Sequence, residues 1–151
     1  MNVSHTQQTQ SATVSAYAPV RAVIVETDGS ARVEDLQPSE SGSLLRVLQD
    51  AVGGLIDVTA LGEGLDMYVH DEGFYVCDPN PVATVIAHVT GGREQPFFGP
   101  VVFTGGVDAE GLDTSIADEV ADEIVGFAAE ITARPEFMAC VAARALKAVG
   151  R

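Results

Sequence analysis

The chain has 151 residues, 46% of them hydrophobic, with 8 basic against 22 acidic side chains and a formal net charge of −14. That length predicts one domain with a real core. The charge argues against direct nucleic-acid binding, which needs clustered Lys and Arg, and against anionic membrane surfaces.

No run approaches the roughly 18 apolar residues of a membrane span. The N-terminal sequence MNVSHTQQTQSATVSAYAP lacks a basic region followed by an apolar stretch. Cys77 and Cys140 have no metal spacing and are too few for a disulfide framework. A reducing cytoplasm is the expected setting, with no cofactor and no metal.

Residues 1–18 are rich in Ser, Thr and Gln, with no Asp, Glu, Lys or Arg; a disordered tail is expected. Residues 20–27 (VRAVIVET) form a β-branched run that predicts a buried strand. Asp28-Gly29 is a turn signal, and residues 31–36 (ARVEDL) supply the partner strand of a hairpin. Leu44, Leu45, Leu48 and Val52 share one helical face, with Ser41 as expected N-cap and Gly53 as C′ residue.

Residues 55–61 and 65–70 read as strands joined at Gly62-Glu63-Gly64. Asp71-Glu72-Gly73 then turns the chain into residues 74–77, and residues 78–81 (DPNP) form a loop. Residues 82–89 (VATVIAHV) fit either a buried strand or a short helix. A polar and aromatic loop at 91–99 leads to a strand at 100–104 (PVVFT).

The last third changes period. Ile116, Val120, Ile124, Phe127 and Ile131 recur at helical spacing, with Asp113 or Thr114 as cap and Gly126 as a packing point or bend. Pro135 opens a second helix carrying Met138, Val141, Ala142, Ala145 and Val149 on one side. Charge is segregated: residues 108–130 hold eight acids and no base, and residues 134–151 hold four bases and one acid.

Candidate chemistry is sparse. Gly53-Gly54 follows a helix instead of preceding one, so carbonyls and not N–H groups converge there, and a phosphate cradle is disfavoured. His70-Asp71-Glu72 reads as a polar hairpin end more readily than as a metal site. His88 reads as a hydrogen-bonded interior or edge histidine, and Cys77 lacks a local cation to lower its pKa. Cys140 is expected to be packed. Asp118, Glu119, Asp122 and Glu123 form an acidic i, i+4 run, which fits a solvated face or a surface for a basic protein partner. Phe97-Phe98 could cover the core or line a pocket or subunit interface.

The pieces LLRVLQDAVGGLIDVTAL, MYVHDEG, PNPVAT and GPVVFTGGVDAEG together resemble the bacterial and phage family called domain of unknown function 3846. The resemblance covers about residues 20–112. It implies a compact α+β domain in a phage or mobile-element setting, aligns Asn80 with the family's asparagine, and brings no catalytic residue with it.

The reading is α+β: an N-terminal hairpin, one helix, a mostly antiparallel sheet, and a C-terminal helical pair. A core domain at 19–112 would carry a packed helical hairpin at 113–151. The expected function is non-enzymatic binding or regulation through a protein partner contacted by Asp118, Glu119, Asp122 and Glu123, with a homodimer as a further possibility. Alternatives are a small-molecule, nucleotide-like binder bordered by Asn80, Phe97 and Phe98, or an acidic DNA mimic.

Overall fold

The structure, a computed structural model, describes residues 16–151. The expected tail therefore lies outside the described residues up to residue 15.

Among the described residues, five strands and five helices follow one another as β1 (Val20–Val25), β2 (Ala31–Leu36), α1 (Leu45–Val52), β3 (Ile56–Ala60), β4 (Asp66–His70), α2 (Gly73–Val76), α3 (Pro81–Gly91), β5 (Val101–Thr104), α4 (Asp118–Thr132) and α5 (Pro135–Ala148). The strands form one sheet in the order β2-β1-β5-β4-β3, and every neighbouring pair is antiparallel. This is the α+β architecture expected, with its C-terminal helical pair.

Strand periodicity of two divides the core between the sheet's faces. Val23, Val25, Met67, Val69, Val101 and Phe103 point to one side, where α3 adds Val82, Ala83, Ile86 and Ala87, and α4 adds Ala121, Ile124, Ala128 and Ile131. Ala22, Ile24, Tyr68 and Val102 point to the other, which α1 covers with Leu48 and Val52. Burying each large apolar side chain contributes about 1.5–3 kcal/mol, so the first face dominates stability. Because α4 supplies four of its buried residues, it is part of the core itself and not an appendage to it.

Turn chemistry fixes the strand connections. Gly29 has φ +90° at the β1–β2 turn, a region open to glycine at little cost, and Asp28 accepts from Ser30 N at 2.8 Å. That hydrogen bond holds the Asp28 carboxyl below its usual pKa.

Two local expectations change, the caps of α1 and α4, and two segments left open are helical. Residues 82–89 are helical, because Asn80 caps α3 through Oδ1, which accepts from Ala83 N at 3.0 Å, and Pro81 occupies the first turn. Residues 73–76 form a single helical turn. Ser41 does not cap α1, which starts after Leu44 and receives a bond from Leu45 N to Ser43 Oγ at 3.1 Å. Nor do Asp113 or Thr114 cap α4, which starts after Ala117. Residues 113–114 instead pair with the end of β5: Gly105 N donates to Thr114 O and Thr114 N to Gly106 O, each at 2.8 Å.

Candidate functional site

Helix α4 spans 15 residues with five acids and no base: Asp118, Glu119, Asp122, Glu123 and Glu130. All five are exposed, because the core-facing stripe is taken by Ala121, Ile124, Ala128 and Ile131. The structure splits this run between two sides. Asp118 and Asp122 border a concavity beside β2, together with Arg21, Val33 and Asp35. Arg21 Nη1 donates to Asp118 Oδ1, and its Nε lies 3.5 Å from Asp35 Oδ1. The bond to Asp118, then the charges of both carboxylates, raise the Arg21 pKa. The acid run thus has a compensating base, 97 residues away in the chain. Glu119 lines a shallow surface with Pro19 and Ser115.

Glu123 faces the other way. With Glu130, one heptad on, it rims a groove of about 450 Å³ between α3 and α4. Leu65, Ile86, Val89, Ile124 and Phe127 make the apolar lining, and Gly126 lies along it. A Cβ at Gly126 would meet nothing within 4 Å, so this glycine marks neither a close helix contact nor a filled bend. Val89 is 65% exposed, a large apolar side chain left open in a concave site. The lining comes from three separate segments, so the sequence marks Phe127 only as part of an apolar helical stripe and does not single out Glu130. The local signal for Glu130 is its seven-residue step from Glu123.

The other candidates sit elsewhere. Asn80 is fully buried; its Nδ2 donates to Val25 O at 3.1 Å and to Gly99 O at 2.9 Å. All its side-chain hydrogen bonding joins β1, α3 and the loop before β5. Phe97 and Phe98 are buried beside it, at 4% and 3% exposure, with the Arg151 guanidinium 5.7 Å from the Phe98 ring centre. The structure therefore brings Asn80, Phe97 and Phe98 together, away from the four acids.

His70 Nδ1 accepts from Glu72 N at 3.0 Å and so shapes the turn. His88 is exposed at the end of α3, with Nδ1 3.3 Å from Arg93 O. Burial raises the Cys77 thiol pKa, Asp78 adds to the rise, and Arg151 opposes it, so the thiolate is disfavoured. Cys140 is exposed, contrary to the packed position expected, because α5 turns Ala145 inward instead. Among the described residues no group of three or more His, Cys, Asp or Glu is placed to hold a metal, and no helix is long and apolar enough to cross a membrane.

The sequence pattern of the family described as a domain of unknown function, DUF3846, matches residues 20–128. The chain belongs to this family. The match reaches past the 20–112 expected and takes in α4 as far as Ala128, so most of the acidic helix lies inside the DUF3846 region and α5 outside it. No curated protein and no solved structure matches the chain.

Proposed function

We propose that this DUF3846 protein is a non-enzymatic binding protein that takes a basic amphipathic helix of a protein partner into the α3–α4 groove. The bacterial, phage or mobile-element setting implied by the family resemblance is compatible with such a regulator. One observation carries the reading: the groove is apolar inside and rimmed by Glu123 and Glu130, on a helix with no basic residue. Apolar side chains of a partner helix at i, i+4 and i+7 would fill the lining, and Lys or Arg beside them would meet the rim. The rim acids would supply rate and specificity more than raw affinity.

The test uses a labelled amphipathic Leu/Lys peptide and fluorescence polarisation. Binding should weaken at least ~10-fold in Glu123→Lys/Glu130→Lys, equivalent to about 1.4 kcal/mol. Val89→Lys, which suits a helix C-terminus electrostatically, should also block the groove. Glu40→Lys/Glu63→Lys changes net charge equally on exposed loops and should bind like wild type. Equal loss in both charge variants would reduce the binding to bulk electrostatics and refute the site.

A small apolar ligand would occupy the same groove, whose volume suits one. It predicts binding that is indifferent to salt and to the two glutamate reversals. Self-association measured by sedimentation, abolished by the same reversals, would identify the partner as a second copy.

A further inference from the structure

The opposite face of the sheet holds a second polar grouping that the partner-binding reading does not use. Asp66 and Tyr68 lie two residues apart on β4 and so share a face. The β4–β5 register sets Asp66 directly across from Thr104 on that face. Residues 105–107 then pair with 113–114, including a bridge between Val107 and Asp113. That pairing brings Asp113 to Tyr68, whose hydroxyl donates to Asp113 Oδ1 at 2.5 Å. The β3–β4 turn closes the corner: a Cβ on Gly106 would lie 3.5 Å from Gly64 Cα.

Two observations leave this corner open to a ligand, one on hydrogen bonding and one on charge. Thr104 is fully buried, and its Oγ1 has no hydrogen-bond partner among the described residues. A buried hydroxyl without a partner is costly and calls for a ligand. Among the described residues neither Asp66 nor Asp113 joins an ion pair, and the ion pairs there are made by Arg21 and Arg32.

We propose that the corner formed by Asp66, Asp113 and Thr104, with Tyr68 beside it, binds a hard divalent cation, calcium in preference to magnesium. The side-chain donors are all oxygen, which excludes the soft metals that seek sulfur or imidazole. Calcium accepts irregular carboxylate, hydroxyl and water ligation, while magnesium demands a near-ideal octahedron. With two carboxylates and the remaining ligands from water, affinity belongs to the weak class of about 10⁻⁴–10⁻³ M.

Terbium luminescence provides the test on the full chain, because Tb³⁺ replaces calcium and is excited by an adjacent tyrosine. The protein has three tyrosines and no tryptophan. Emission should saturate at one Tb³⁺ per chain and be displaced by calcium at lower concentration than by magnesium. Tyr68→Phe should lose the emission yet keep the calcium-dependent rise in Tm, about 3–5 °C at calcium tenfold above its dissociation constant. Asp66→Asn and Asp113→Asn should lose both, and Thr104→Val should weaken calcium several-fold. Folding of each variant is checked by circular dichroism; a variant that fails to fold is replaced by Asp66→Ser or Asp113→Ser. Emission that survives Tyr68→Phe and Asp66→Asn would mean ions scattered over the acidic surface, and would overturn the site. So would a wild-type Tm indifferent to calcium, which would mean that a proton fills the corner.

Discussion

Replacing Asn80 by Ala should be among the most damaging single substitutions in the chain. The side chain makes three hydrogen bonds from a fully buried position, one to the start of α3 and two to the carbonyls of Val25 and Gly99. Loss of the cap alone costs about 1 kcal/mol. Each buried carbonyl left without its donor adds about 1–3 kcal/mol. Some relaxation will recover part of this, so a net loss of about 3–5 kcal/mol is expected, in the range reserved for buried networks. A domain of this size has only about 5–15 kcal/mol to lose. Urea unfolding followed by circular dichroism would read the change as a lower midpoint at constant slope. Asn80→Asp separates the terms. It keeps the cap acceptor but turns a carboxylate toward two carbonyls, so it should be at least as unstable as Asn80→Ala near neutral pH and partly recover when protonated. A loss under about 1 kcal/mol for Asn80→Ala would refute the reasoning, since the cap alone accounts for that much.

Other substitutions probe separate features. Gly126→Ala should stabilise by about 0.5–1 kcal/mol in the same urea assay, because the helix gains a better former and the new methyl meets open space; destabilisation would show that the groove is filled. Gly73→Ala should cost about 1–3 kcal/mol, since its Cβ would sit 2.7 Å from the backbone oxygen of Phe98; unchanged stability would show that α2 shifts freely. For Asp66 the direction follows from linkage. Its raised pKa means that the folded chain holds the proton more tightly than the unfolded one. The ionised group therefore subtracts stability at neutral pH, and the loss is recovered as pH falls through the folded value toward about 4. In cation-free buffer Asp66→Asn should melt above wild type near pH 7, and the gap should close below about pH 4; a constant gap would point to packing instead.

The legible parts of this protein are those fixed by neighbouring residues. The β1–β2 hairpin follows from a β-branched run, Asp28-Gly29 and an alternating partner. The end of α1 follows from Gly53, which holds φ +85° and donates its N–H to Gln49 O. The segment 82–89 was ambiguous by apolar content, yet Asn80-Pro81 is a helix-start signal that a reading as loop overlooked. What stayed hidden depends on chain segments far apart. Arg21 reaches Asp118 only because α4 lies beside β1 and β2, so the acid run looked uncompensated. The corner of Asp66, Tyr68, Thr104 and Asp113 exists only because β4 pairs with β5, and no local pattern marks it. For Asn80 the residue stood out in the sequence, but its hydrogen bonds tie together three segments of the core and leave none for a ligand.

The two proposed surfaces share a physical origin in uneven coverage of the sheet. On one face α3 and α4 lie over the strands, and α5 packs on those two helices with Ala145 as its sole fully buried residue. No residue of α5 lines the groove at Glu123 and Glu130, which is therefore a length of the α3–α4 seam that α5 does not roof. A partner helix would extend the layer that α5 begins, and the rim charge determines that this helix be basic. On the other face α1 packs on Tyr68 and Val102, two residues inward of Asp66 and Thr104 at the strand ends. There the 105–114 pairing closes the layer with backbone and carboxylates in place of apolar side chains, leaving oxygen atoms that a cation can satisfy and a hydrophobic partner cannot.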